Sequence, residues 1–265
     1  MEISQEILKR KGALKFALLS PDIINLLNRG LIESVNLTEW LAVDHGVLVK
    51  NVLPHKYQES CLSALADLKQ KTAMQSTLAV GKALHEQTCG RDSQLLSTLA
   101  GHVSDSVRCW ATYLVGLNDS LNISEKLNAI KPFAADSHFG VREISWMAMR
   151  SSLDSNLEQA IAILLLWVQD ENANVRRFAT EAIRPRGVWC KHIDRLKEEP
   201  RLALPILDVL KSDPSKYVQD SVGNWLNDAS KTQPDWVVEL CEQWGQQSNT
   251  KETTYIIKKA LRSIS

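Results

Sequence analysis

An all-α fold assembled from repeated helix hairpins is the class this sequence predicts, and three observations predict it. The 265-residue chain carries only 11 Gly and 8 Pro, with 44% hydrophobic and 23% charged residues, a composition that favours long helices. Four segments repeat one pattern: 104–111 around Val107, 136–145 around Val141, 170–179 around Val175 and 213–222 around Val218. With a degenerate fifth copy at Ile256, the anchors are spaced by 34, 34, 43 and 38 residues. Intervals of that size, each holding two apolar-periodic stretches, are those of a helix-hairpin solenoid with a concave face.

The elements follow in order. Residues 1–53 read as an irregular helical cap, with Ser20-Pro21-Asp22 starting a helix and Gly30 and Gly46 as stops. Residues 54–265 read as helical repeats, so that 1–265 form one domain; between 56 and 101 Gly81 and Cys89-Gly90 read as breaks. The first helices of the later hairpins are expected at Ile123 to Phe133, Asn156 to Val168, Arg201 to Leu210 and Trp236 to Trp244. Each second helix opens near an anchor. Asp136, Asp170 and Asp213, five residues ahead of theirs, read as cap or turn residues. Ala111, Ser145, Ala179, Val222 and Ala260, one turn beyond, belong on the buried face. Trp110, Trp146 and Trp225 sit near anchors and are expected in the core.

Composition narrows the function. With 31 basic against 31 acidic residues, overall charge points to no polyanion, and any such case rests on local clusters. Cys61, Cys89, Cys109, Cys190 and Cys241 are scattered and odd in number, which fits a reducing compartment, the cytoplasm. His85 and Cys89 are one turn apart without a second pair, so no metal site is expected. The longest apolar run, Ala160 to Val168, is far too short to span a bilayer. Lys9, Arg10, Lys11 and Lys15 leave no room for an export signal's apolar stretch. No phosphate-binding loop, nucleophile elbow or dinucleotide fingerprint is present.

Three acids stand out on the second helices. Glu143, Glu181 and Asp228 lie two, six and ten residues after their anchors. Offsets that differ by four turn each successive side chain by about 40°, so the three project into an arc of about 80° and are expected to converge on one groove. The alternative is the solvated face of amphipathic helices. Around Glu181 cluster Arg176, Arg177, Arg184, Arg186 and Lys191, and a second basic patch holds Lys251, Lys258, Lys259 and Arg262. Arginines beside a repeat groove suit phosphates, whereas a lone acid among them also suits a structural ion pair. Arg184-Pro185-Arg186 is expected to end its helix at the proline and carry both guanidiniums and Trp189 into a loop, where an indole face can bind a cation.

Assembled in this way, the chain resembles the AlkC branch of the HEAT-like-repeat DNA alkylation repair glycosylases. The resemblance covers most of the chain and is densest in Val141-Arg142-Glu143, in Val175-Arg176-Arg177 through Glu181 to Arg184-Pro185-Arg186 and Trp189, in Tyr217-Val218 through Ser221-Val222 and Asn224 to Leu226-Asn227-Asp228 with Lys231, and in Ile256-Ile257 with Ala260-Leu261-Arg262. Asn36-Leu37-Thr38-Glu39-Trp40-Leu41 is similar to the family's N-terminal region. The resemblance implies excision of cationic N-methylated bases, 3-methyladenine and 3-methylcytosine among them, from double-stranded DNA, with Glu143, Glu181, Trp189 and Asp228 at the lesion. Asp228 would activate water while Glu143 and Glu181 stabilise an oxocarbenium-like sugar. Arg176, Arg177, Arg184, Arg186, Lys191, Lys231, Lys258, Lys259 and Arg262 would hold DNA. It implies a cytoplasmic, nucleoid-associated monomer without a cofactor.

The sequence departs from the family pattern at Gly187-Val188, where Leu-Pro is usual, at Gly223, where Ala is usual, and at Lys259, where His is common. A chain ending at Ser265 is expected to lack the C-terminal immunoglobulin-like domain of many relatives. The rival reading is a non-catalytic repeat scaffold that binds a protein or a structured nucleic acid; a regulatory subunit is a third.

Overall fold

A computed structural model describes residues 3–187 and 189–264. Every regular element among them is helical, seventeen α-helices and two short 3-10 turns without a strand. These residues gather into two compact units, one running up to Ser120 and taking in Ser137–Ala148, the other made of Leu121–Asp136 and the chain from Met149 onward.

Unit one holds α1 (Gln5–Leu8), α2 (Pro21–Asn28), α3 (Leu37–Leu41), α4 (His45–Val52), α5 (His55–Ala66), α6 (Ala73–Thr88), α7 (Ser93–Ala100) and α8 (Asp105–Gly116). Pro21 sits in the first turn of α2, and the helix closes on Gly30 at φ +67, with Leu31 N–H reaching back to Leu26 O at 3.0 Å. That six-residue closure needs a left-handed residue, which Gly supplies without Cβ strain. Gly46, expected as a stop, instead lies in the first turn of α4, because Asp44 Oδ1 accepts from both Gly46 and Val47 N–H and caps the helix just ahead. Gly81 does not break α6 either. It lies inside the helix because a Cβ there would come 2.6 Å from Tyr113 Cβ, so the glycine permits close approach of α6 and α8. The break expected at Cys89-Gly90 is present, with both residues at positive φ.

Residues 1–53 do not stand apart from 54–120 within this unit. Arg10 forms a two-pronged pair with the buried Glu39 of α3, Nε–Oε1 at 2.9 Å and Nη2–Oε2 at 2.6 Å. Ser34 donates to Asp105 Oδ2 at 2.9 Å, and its carbonyl meets His138 Nε2 at 2.8 Å. Because Gly140 N–H donates to His138 Nδ1, the ring carries its proton on Nε2. Glu39 of the Asn36–Leu41 motif thus holds the N-terminal Arg10, and Ser34 just ahead of the motif ties the segment to α8 and His138.

Unit two holds α9 (Ile123–Ala134), α11 (Leu157–Trp167), α12 (Ala173–Glu181), α13 (Asp194–Glu198), α14 (Leu204–Leu210), α15 (Lys216–Ala229), α16 (Pro234–Gln247) and α17 (Lys251–Leu261), while α10 (Phe139–Ser155) contributes its first part to unit one and its last to unit two. The expected first helices correspond to α9, α11, α14 with the 3-10 turn before it, and α16. The anchors Val107, Val141, Val175, Val218 and Ile256 are buried, as are the five residues one turn beyond them. Trp110, Trp146 and Trp225 are also buried; each such ring removes roughly 150–250 Å² from water, about 4–6 kcal/mol before the entropy of ordering it.

The aspartate ahead of the anchor is a turn residue. Asp170 Oδ1 accepts from Asn172 N–H at 2.9 Å and Asp213 Oδ1 from Ser215 N–H at 2.8 Å, and Asn172 and Ser215 are the caps. The residue after the anchor closes the same turn. Arg108, Arg142, Arg176 and Gln219 each donate to a carbonyl five or six residues upstream, at 2.7–2.9 Å. No helix among the described residues is long and apolar enough to cross a membrane.

Candidate active site

Within unit two, Glu181 ends α12 and Asp228 lies in the last turn of α15, and Arg184 joins them. Its Nη1 donates to Glu181 Oε1 at 2.8 Å, while Nε and Nη2 reach Asp228 Oδ2 at 2.9 and 2.7 Å. Both carboxylates are buried, at 3% and 4% exposure. Ser221 Oγ donates to Glu181 Oε2 at 2.6 Å and itself contacts Thr180 Oγ1 at 2.7 Å; Arg177 lies 3.5 Å from the same carboxylate oxygen. Burial would raise the Glu181 pKa, but Arg177, Arg184 and the Ser221 hydroxyl outweigh it and hold the carboxyl below its usual range. Burial likewise works against a charged Arg184, and the two carboxylates outweigh it and raise its pKa.

Asp228 is asymmetric. Its Oδ2 is fixed by Arg184, whereas Oδ1 meets Lys231 Nζ at 3.3 Å, and the Lys231 side chain is 46% exposed. One oxygen is therefore paired with a half-exposed, long-stemmed cation, while the other is held by a buried guanidinium.

Helix α12 stops at Glu181, three residues earlier than the Pro185 stop expected from sequence. The following carbonyls leave the helical ladder: Ala182 O accepts from Arg150 Nη1 at 2.8 Å and Ile183 O from Trp225 Nε1 at 3.0 Å. Arg184 lies in the loop, as expected, and its guanidinium points inward to the acids. Trp189 is at the loop surface, 70% exposed, with φ +58. A left-handed backbone is costly for a bulky residue, on the order of 1–3 kcal/mol, and such outliers gather at functional sites. Val188 lies outside the described residues.

Glu143 belongs to unit one, where it accepts from Trp146 Nε1 at 3.0 Å. The basic residues divide by what they touch. Arg176 pairs with Asp213 through Nε and Nη2 at 2.6 and 3.0 Å. Arg177 lies 4.2 Å above the Tyr217 ring. Lys259 is drawn onto Asp220 at 2.7 Å, and its stem lies over Gly223, where a Cβ would come 2.8 Å from Lys259 Cβ. Lys191, Lys231, Lys258 and Arg262 remain exposed and Arg186 half-buried. Sequence reasoning assigned no role to Ser221, which it noted only within the motif, or to Thr180; their signal was small hydroxyl residues on a buried helix face. Among the described residues no group of three or more His, Cys, Asp or Glu is placed to hold a metal ion.

Residues 124–264 match the family model described as DNA alkylation repair enzyme. The chain belongs to the DNA alkylation repair enzyme family. The family region takes in Glu143, Glu181, Trp189 and Asp228. YhaZ of Bacillus subtilis strain 168 is 40% identical over 140 residues, 53% of this chain and 37% of that protein. Among solved structures, the Pseudomonas fluorescens alkylpurine DNA glycosylase AlkC, bound to DNA containing an abasic site analog, is similar with a TM-score of 0.67 and 25% identity over 96% of this chain and 65% of its own. AlkD2 from Streptococcus mutans is similar with a TM-score of 0.53 and 26% identity over 82% of this chain and 96% of its own. The chain thus spans less than two thirds of the length of YhaZ and of AlkC. The helical-repeat architecture expected from the anchor spacing is the one these family neighbours share.

Proposed function

We propose that this protein is a monofunctional DNA glycosylase that hydrolyses the N-glycosidic bond of cationic N-methylated bases, of the 3-methyladenine and 3-methylcytosine class, in double-stranded DNA. The observation that carries the reading is the buried Glu181–Arg184–Asp228 array, in which one Asp228 oxygen is held by Arg184 and the other meets the half-exposed Lys231. A base methylated on a ring nitrogen already bears positive charge, so it departs as a neutral molecule without prior protonation. The protein has two tasks left. It must stabilise the cationic sugar as the C1′–N bond breaks, and it must deliver water to C1′.

In this reading a DNA phosphate draws Lys231 away, and the freed Asp228 Oδ1 faces the sugar and takes the proton from the attacking water. Arg184 holds the other oxygen so that the carboxylate does not rotate. Glu181 and Glu143 add negative charge, the latter assigned by its spacing in the sequence, and Trp189 offers its indole face to the cationic base or sugar. Arg186, Lys191, Lys231, Lys258 and Arg262 are the proposed phosphate contacts, with Arg177 beside them. Arg176, Arg184 and Lys259 leave that set because each is held by an aspartate with at most a quarter of its side chain exposed, whereas Lys191 and Lys231 stay exposed beside Asp154 and Asp228. The chemistry needs no cofactor, and the working form is proposed to be a cytoplasmic monomer.

The decisive experiment incubates the protein with methylating-agent-treated DNA and measures free 3-methyladenine and 3-methylcytosine, with Asp228→Asn beside it. Release is expected from the native protein and a loss of at least about 100-fold from the variant, whose amide keeps an acceptor for Arg184 but carries no charge. The balanced count of 31 basic and 31 acidic residues favours the rival scaffold reading. A folded protein that binds DNA and releases no base would establish that rival.

A further inference from the structure

The loop that carries Trp189 closes on a side chain that the chemistry above does not use. Arg150, in the part of α10 that belongs to unit two, is 3% exposed, and among the described residues no carboxylate pairs with it. Its donors go to backbone instead. Nη1 donates to Ala182 O at 2.8 Å, Nη2 to Arg184 O and Nε to Lys191 O at 2.9 Å. Ala182 and Arg184 lie on the leg of the loop that leaves α12, and Lys191 lies on the returning leg, so one planar guanidinium ties both legs across the Trp189 tip. Pro185 O and Ile193 N–H close the base at 3.1 Å. The tip itself rests on the same group, since a Cβ at Gly187 would come 3.3 Å from Arg150 Nη2 and would also strike Cys190 Sγ. Burying a cation without an acid is unfavourable unless its donors find acceptors, and here loop carbonyls accept from all three guanidinium nitrogens.

We propose that Arg150 is a positioning residue that holds the Trp189 loop in its presenting shape, including the left-handed backbone at Trp189, and that acts on base release only through that tryptophan. The inference rests on the glycosylase reading for its kinetic consequence and not for its structural one. Lysine cannot replace it, because a compact ammonium lacks the rigid fork that spans two legs at once. The glycine at 187 is explained first by Cys190, whose Sγ would lie 2.2 Å from a Cβ there, and second by the guanidinium beside it.

The test combines a kinetic cycle with amide hydrogen exchange. Arg150→Lys and Trp189→Ala are each expected to slow single-turnover base release by about tenfold, and the double variant also by about tenfold, because the second change removes what the first had already misplaced. In Arg150→Lys the amides of residues 183–193 are expected to exchange at least about tenfold faster while those of α15 are unchanged. Losses that multiply to about a hundredfold, or faster exchange spread evenly over unit two, would overturn the proposal in favour of a general stabilising role. If the native protein releases no base, the glycosylase reading fails by itself; the exchange arm then still decides whether Arg150 holds the loop, and unchanged exchange at 183–193 would sink it.

Discussion

Arg184 shows how a residue changes meaning once its neighbours are known. An arginine beside a proline, in a cluster of five basic residues around one acid, reads as a phosphate contact. In the fold it bridges two buried carboxylates and fixes one oxygen of each. Removing such a partner leaves an uncompensated buried charge, at a cost of about 3–5 kcal/mol. Gly223 and Lys259 are linked in a similar way. Each departs from the family pattern, and the lysine stem occupies the space that an alanine methyl would need. Gly223→Ala is therefore expected to destabilise the native protein by about 1–3 kcal/mol through overpacking. In a Lys259→Gly background, where the Cβ at 2.8 Å and the stem beyond it are both gone, most of that loss is expected to vanish, and urea denaturation of the four proteins measures the coupling.

At the scale of elements, α4 and α8 meet through a buried histidine. Trp110 Nε1 donates to His45 Nδ1 at 3.1 Å, which requires the neutral ring, and burial, only partly opposed by Asp44, lowers the His45 pKa from 6.5 to about 4. Below pH 6.5 the unfolded chain takes up a proton that the folded protein refuses, so stability declines as pH falls and levels off near pH 4. The loss amounts to about 3 kcal/mol. Denaturation midpoints at pH 7 and pH 4.5 are expected to differ accordingly, and His45→Gln, which keeps an acceptor for Trp110 and cannot titrate, is expected to remove that part of the difference. The repeat turn is the other device at this scale. The arginine that follows the anchor at 108, 142 and 176 satisfies carbonyls of the turn ahead of its own helix, so its recurrence reports turn closure and not a row of phosphate contacts.

For the whole molecule the charge balance makes salt dependence informative. If Arg186, Lys191, Lys231, Lys258 and Arg262 are the phosphate contacts, each contributes about 0.9 to the slope of log affinity against log salt, a slope between about −3 and −5 for duplex DNA. Titrations of a methylated duplex across salt concentrations measure it. Lys258→Ala and Arg262→Ala are each expected to lower its magnitude by about 1, and a slope near zero would argue against the proposed contact set.

The sequence alone determined the helical class, the hairpin period, the anchor residues and the buried tryptophans, because periodic burial is written in apolar spacing and each repeat packs mainly on its neighbours. It also pointed to Glu181, Asp228 and Trp189. What it could not supply was direction. Gly46 and Gly81 read as stops, yet one sits where a side chain caps the next helix and the other where two helices touch. Arg176, Arg184 and Lys259 read as phosphate contacts, yet their partners Asp213, Asp228 and Asp220 are 37, 44 and 39 residues away. Arg150 gave no signal at all, since its partners are backbone carbonyls common to every residue. Spacing along one helix specifies a face, whereas the charge a side chain meets there is set by another helix, and only the tertiary structure brings the two together.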